Sequence, residues 1–328
     1  HRPGSSHLGS RRLGCPALAT HVSLQSPSYP TMASGQACAD VGMVPLQAVP
    51  CGHGSPSVSG PFLRRRLWSQ FLGECCWIFT EACWILLVPV LSLSACGVAV
   101  VFIGYSLVIE VRASGSKRVE RWFFQALQAW WLIVNFVWMF EELAWDTPDQ
   151  QTPWHMTPMY ASSQALYDWI QHFCVLGFFS GPAAWMILVA ALALISCKRP
   201  AVGRSPALVL FFDAGPLALW SLMDGFWASG CLWPSVASAI ATIVLIVMGA
   251  MFETRTWKGL GRIDVVWILW TLSNLSWFVM ELAYDDNLQL RYVSAGIALL
   301  SLLLLATSFG AMSERLQLRK RALPATCE

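Results

Sequence analysis

"WWLIVNFVWMFEELAWD", residues 130–146, is an apolar run that also holds an asparagine, three acids and four tryptophans. A bilayer penalises such polar groups, so a spanning segment that keeps them must present them to protein or water. A close copy, "WILWTLSNLSWFVMELAYDD", recurs at residues 267–286, which makes the stretch a repeated device.

The surrounding chain has 328 residues, is 56% hydrophobic and 12% charged. It contains several apolar stretches of the roughly 20 residues that one bilayer crossing requires. These features predict an all-α integral membrane protein with the lipid bilayer as its partner. A net charge of +2, with basic residues gathered at the ends of apolar stretches, offers no nucleic-acid surface.

Eleven cysteines form no C-x2-C pair, and Cys75, Cys76, Cys83, Cys96 and Cys174 lie in or beside apolar segments. They read as packing residues, without a disulfide framework or a zinc site. His1, His7, His21 and His53 fall before residue 64, leaving His155 and His172 near the membrane, so no histidine box is present. A retinal photoreceptor needs a buried Schiff-base lysine, whereas Lys117, Lys198, Lys258 and Lys320 lie in loops or the tail. No P-loop, nucleophile elbow or H-E-x-x-H occurs, and no cofactor is expected.

Residues 1–63 are rich in Ser, Gly and Pro with Asp40 as their one acid, and read as a disordered tail or, before Met32, a leader. From Leu67 to Val111 the run is 45 residues long. One straight helix of that length would reach roughly 68 Å, twice the bilayer core, so it must turn back, and Pro89–Ser94 is the expected break. Ala228–Ser235 is the corresponding break between Arg204 and Arg255. With spans near 121–146, 165–197, 262–285 and 290–313, eight helices are expected. Placing both termini in the cytoplasm puts Arg64–Arg66, Arg112 to Arg121, Lys198 to Arg204, Arg255 to Arg262 and Arg315 to Arg321 on one side, and only Arg291 on the other.

The helices then group as two four-helix repeats, residues 64–200 and 204–316, followed by a basic cytoplasmic tail, 317–328. Trp77, Glu81 and Trp84 match Trp220, Asp224 and Trp227, and from both first tryptophans offsets of 33 and 35 residues reach Glu110/Arg112 and Glu253/Arg255. Each third helix carries W-x3-N-x2-W-x3-E-L-A-[W/Y]-D, as Trp131, Asn135, Trp138, Glu142 and Asp146, and as Trp270, Asn274, Trp277, Glu281 and Asp285. An even number of spans per half makes the repeat parallel. Those five positions stay within roughly an 80° arc of a helix, one continuous stripe.

The stripes predict an outward acidic funnel flanked by indoles, with Asn135 and Asn274 at its base. Glu81, Asp224, Glu142 and Glu281 are the candidates for ligand binding or charge relay, since an intramembrane acid costs at least ~2.5 kcal/mol and marks a functional site by default. No basic partner lies at comparable depth in these helices, so these acids should be protonated, share a proton or hold a cation. Trp138 and Trp277 would wall the site, with cation–π contact available. The alternative reading of the same groups is interhelical glue. Trp68, Trp122 and Trp145 read as interfacial belt residues, and Asp146, Asp285 and Asp286 as a solvated face.

Asp168 and His172, four residues apart, form a pair in which a carboxylate can orient the ring for proton transfer, with a simple interfacial hydrogen bond as the competing reading. Gly97, Gly104, Ser235, Ala237, Ala239 and Ala241 predict close helix contact in the second helix of each half, and Pro182 a kink in the fourth.

The pairing of W-x3-D-x2-W with W-x3-N-x2-W-x3-E resembles a family of uncharacterised bacterial multi-pass membrane proteins, through Trp220, Asp224, Trp227, Trp270, Asn274, Trp277, Glu281, Asp285 and Asp286. The first half is a looser version with Glu81 in the aspartate position. The resemblance implies architecture alone. From the residues, the leading expectation is a transporter or channel-like protein for a proton, cation or small cationic solute held between the repeats. A non-transporting scaffold or sensor is the second, and a lipid-modifying enzyme using Asp168 and His172 the third.

Overall fold

A computed structural model of the chain describes residues 60–114, 119–145, 164–198, 205–254, 261–284 and 287–309. They form eight helices and no strands: α1 (Gly60–Ile85), α2 (Pro89–Ser114), α3 (Val119–Trp145), α4 (Gln164–Lys198), α5 (Pro206–Ala228), α6 (Leu232–Thr254), α7 (Arg262–Ala283) and α8 (Leu288–Ala306). Seven of them, α2 to α8, are long and apolar enough to cross a membrane. α1 has the length, but its arginines, Glu74 and Glu81 make it less apolar. The chain thus has a multi-pass helical membrane architecture. Of the expected tails, residues 1–59 and 310–328 lie outside the described residues, as do Asp146, Asp285 and Asp286.

The turns follow local chemistry. α1 ends at Ile85 and α2 begins at Pro89, so the chain turns at residues 86–88, before the expected break at Pro89–Ser94. Proline suits the first position of a helix, where its missing N–H has no partner to lose. Leu87, at φ 54°, carries the reversal. The turn between α5 and α6 falls where expected, with Gly230 at φ 71° supplying the left-handed conformation. Cys231 in that turn is disulfide-bonded, so the cysteines are not all the packing residues they were expected to be.

Consecutive helices pack as neighbours, α8 returns to α1, and α3 meets α5 across the middle. The odd-numbered helices face inward. In α3, α5 and α7 between 50% and 56% of the most apolar stretch is buried, against 17–39% in the even-numbered helices, whose apolar side chains face outward. Inward positions are the aromatic and polar stripes; outward positions such as Val98, Val101, Tyr105 and Val108 of α2 recur at helical spacing.

Small residues let helices approach, although not where expected. A Cβ on Gly97 or Gly104 would meet nothing within 4 Å, whereas one on Gly177 would lie 2.7 Å from Val134, and one on Gly181 2.7 Å from Leu127. Close contacts thus form at α4 against α3, and α2 and α6 are approached through glycines of their neighbours, an added Cβ on Gly73 lying 2.7 Å from Ile103 and one on Gly215 2.5 Å from Leu245. On α6 the buried small residues include Ser235, Ser238, Ala239, Thr242 and Ala250, while Ala237 faces outward.

Pro182 leaves α4 a single helix from Gln164 to Lys198. Proline removes the donor for the carbonyl four residues earlier. That carbonyl, Phe178 O, instead accepts from Ser221 Oγ of α5 at 2.8 Å. Serines tie other helices in the same way: Ser69 Oγ donates to Phe102 O at 2.5 Å, Ser273 Oγ to Ser294 O at 2.7 Å, and Ser301 Oγ to Val266 O at 3.2 Å.

Candidate functional site

Each inward-facing helix contributes two tryptophans seven residues apart, Trp77 and Trp84, Trp131 and Trp138, Trp220 and Trp227, Trp270 and Trp277. Seven residues are two turns, so the pairs lie one above the other. The result is two stacked tryptophan layers. In one, Trp84 meets Trp138 and Trp277 at centroid distances of 5.4 and 5.0 Å, and Trp227 meets the same two at 4.9 and 4.8 Å, all edge to face. In the other, Trp77 lies 4.7 Å from Trp131, Trp131 5.8 Å from Trp270, and Trp220 3.6 Å from Trp270. Edge-to-face geometry puts the positive ring edge on a neighbour's negative face, and such pairs contribute about 0.5–1.5 kcal/mol each beyond burial.

Between the layers stand Glu81 of α1 and Asp224 of α5, each 3% exposed. Glu81 accepts from the indole N–H of Trp270 and, at 2.9 Å, from Asn274 Nδ2, both on α7. Asp224 accepts from Trp131 Nε1 at 2.7 Å, and Asn135 lies beside it, both on α3. Each asparagine also donates to the carbonyl of the tryptophan one turn earlier, Asn135 to Trp131 O at 3.0 Å and Asn274 to Trp270 O at 3.2 Å, which fixes its orientation. The two carboxylates are close enough to act on each other's charge. Every donor to them is neutral among the hydrogen bonds of the described residues.

Glu142 and Glu281 lie beyond the layer of Trp84, Trp138, Trp227 and Trp277, half-buried. Trp84 Nε1 donates to Glu142 Oε2 at 3.0 Å, and Trp227 Nε1 to Glu281 Oε2 at 3.1 Å, with Trp277 Nε1 reaching Glu281 Oε1 at 2.6 Å. Here a basic partner comes from outside the acid-bearing helices. Arg291 of α8 is buried, places Nη2 3.5 Å from Glu281 Oε1, donates through Nη1 to Ile85 O at 3.1 Å, and acts electrostatically on Glu142. Arginine's long stem carries its charge inward from a backbone near the turn. An outer position in the sequence thus becomes an inner position in space.

The structure does not unite Asp168 and His172 through their side chains. Both are exposed, and His172 Nδ1 meets the backbone carbonyl of Asp168 at 2.6 Å, the ordinary contact one helical turn apart. Trp68 is partly exposed and stacks on Phe309 at 3.9 Å.

Three further polar groups stand outside the candidate set. Glu141, the neighbour of Glu142, points instead toward α4, where Gln171 Nε2 donates to its two oxygens at 3.1 and 3.2 Å. Ser276 and Ser294 meet at 2.6 Å. Glu74 sits with Gln70, Gln125 and Gln128, and the signal was present, since Gln70/Glu74 and Gln125/Gln128 are spaced four and three apart and so share faces of α1 and α3.

Among the described residues no group of three or more His, Cys, Asp or Glu is arranged to hold a metal ion. Family models, curated proteins and solved structures were all compared with the chain, and none matches it.

Proposed function

We propose that the protein is a transporter or channel-like protein for a proton, a cation or a small cationic solute, bound at Glu81 and Asp224. The observation that carries this reading is the pairing of two buried carboxylates whose donors are all neutral. An ionised acid in a dry interior loses its hydration and is repelled by a like charge in the same layer, and a bound cation or proton relieves both costs. Glu142 and Glu281 then form an entry layer whose charge Arg291 moderates. Trp138 and Trp277 wall the passage between the layers, and the orienting groups are Asn135 and Asn274.

The reading includes eight spans in two parallel four-helix repeats, with both termini cytoplasmic. It is supported by reciprocal contacts: the third helix of each half donates to the first helix of the other. With tryptophan layers above and below, Glu81 and Asp224 are closed off, as expected of an occluded state in an alternating-access cycle.

The test is flux in proteoliposomes loaded with a pH-sensitive or sodium-sensitive dye, and uptake of labelled methylammonium. Uptake of at least one of these probes that is lost in Glu81→Gln and Asp224→Asn supports the proposal. Flux equal in the wild type, both variants and empty liposomes rejects it.

A second reading, a scaffold or sensor held together by its polar stripes, draws on one observation: all four acids have an indole donor. It predicts that Asn274→Ala lowers stability without altering any ligand response. The enzyme reading has no paired catalytic side chains to rest on, given where His172 points.

A further inference from the structure

We propose that Glu74, Gln70, Gln125 and Gln128 form a separate cation site for a sodium-sized alkali ion, on the side of the tryptophan layers nearer Arg66. Glu74 lies seven residues before Glu81 on α1, two turns away, and is 4% exposed. Gln70 Nε2 donates to its Oε1 at 2.9 Å, Gln128 also bonds to it, and Gln125 Nε2 holds Gln70 Oε1 at 3.2 Å. Amide donors suit the ionised form of a carboxylate, which accepts only.

The second observation is independent of the carboxylate. The side-chain oxygens of Gln125 and Gln128 are buried and have no hydrogen-bond partner. These residues are 1% and 6% exposed. Buried acceptors left unpaired cost roughly 1–3 kcal/mol each, so a structure keeps them where something fills the gap. A carboxylate and two amide oxygens are hard oxygen ligands, the set that suits alkali and alkaline-earth ions. One carboxylate supplies one negative charge, which a monovalent ion neutralises in full. The nearby arginine, Arg66, is engaged with Glu110.

Aligned on their tryptophans, the second copy of the motif places Leu217 at the Glu74 position, Trp267 at Gln128 and Asp264 at Gln125. This site therefore breaks the internal symmetry and belongs to one half. It stands apart from the transport proposal, because none of its ligands belongs to the Glu81 and Asp224 layer.

The test is equilibrium binding of radioactive sodium to the purified full chain in detergent, with choline chloride holding ionic strength constant. A saturable sodium component of one ion per chain that is lost in Glu74→Gln and weakened about tenfold in Gln128→Leu, but kept in Val101→Ala on the outward face of α2, is the expected result. Should Glu74→Gln fail to give monodisperse protein, Gln125→Leu with Gln128→Leu supplies the reading instead. No sodium binding by the wild type overturns the proposal, as does a stoichiometry left unchanged by loss of Glu74 or of both amide oxygens. In that event the oxygens are filled by water alone.

Discussion

The indole N–H of Trp131 donates to the carboxylate of Asp224 at 2.7 Å, across 93 residues of sequence. Trp131 therefore has two tasks, packing in an aromatic layer and holding an acid. Trp131→Phe separates them, since it keeps a ring and removes the donor. The loss should be about 0.6–1.7 kcal/mol, the range for interhelical hydrogen bonds in membranes. In an Asp224→Leu background the same change should cost less, because the partner is already gone. Thermal unfolding of the four proteins in detergent measures the coupling, and equal losses in both backgrounds would show the bond to be energetically silent.

Arg291 joins α8 to α1 and α7 through Ile85 O and Glu281. Arg291→Met should destabilise by about 1–3 kcal/mol, since it strands a carbonyl and a half-buried acid. Adding Glu281→Gln should recover part of the loss and leave the Ile85 share, a split that denaturant titration resolves.

Ser221 caps the carbonyl that Pro182 leaves open. Ser221→Ala should lower stability by about 1–2 kcal/mol in the native chain. With Pro182→Ala alongside, the helix recovers its own donor and the serine becomes nearly dispensable. A serine effect of the same size in both backgrounds would disprove the capping role.

Gly177 lies where an added Cβ would come 2.7 Å from Val134 Cγ2. Gly177→Ala should cost about 1–3 kcal/mol by overpacking, as a β-branched neighbour has few rotamers into which to retreat. Val134→Ala in the same chain should restore most of the loss, read as the midpoint of thermal unfolding.

The spans and the inward stripes were legible in the amino-acid sequence because helical periodicity gathers Trp131, Asn135, Trp138 and Glu142 on one face. Periodicity names a face and not the helix opposite it. Nothing local announces that Glu81 meets Trp270 and Asn274 of the other half, which follows from how the inward-facing helices close on one another. Arg291 was placed by its backbone position, and its side chain then reached past it. The small-residue signal failed at Gly97 and Gly104 because a glycine on an outward face is as small as one in a contact. Asp168 and His172 illustrate a further limit, as correct helical spacing was satisfied by a backbone carbonyl.

The stacked tryptophan layers also give the molecule an optical identity. Eight of its 18 tryptophans crowd around the acids with centroids from 3.6 to 6.4 Å apart. At such separations the indole transitions couple, and their near-ultraviolet circular dichroism depends on mutual tilt. A rotation of one helix, or a charge arriving between Glu81 and Asp224, would alter that spectrum and the intrinsic fluorescence together. The protein therefore carries a label-free reporter of its own conformational state at the place where its chemistry is concentrated.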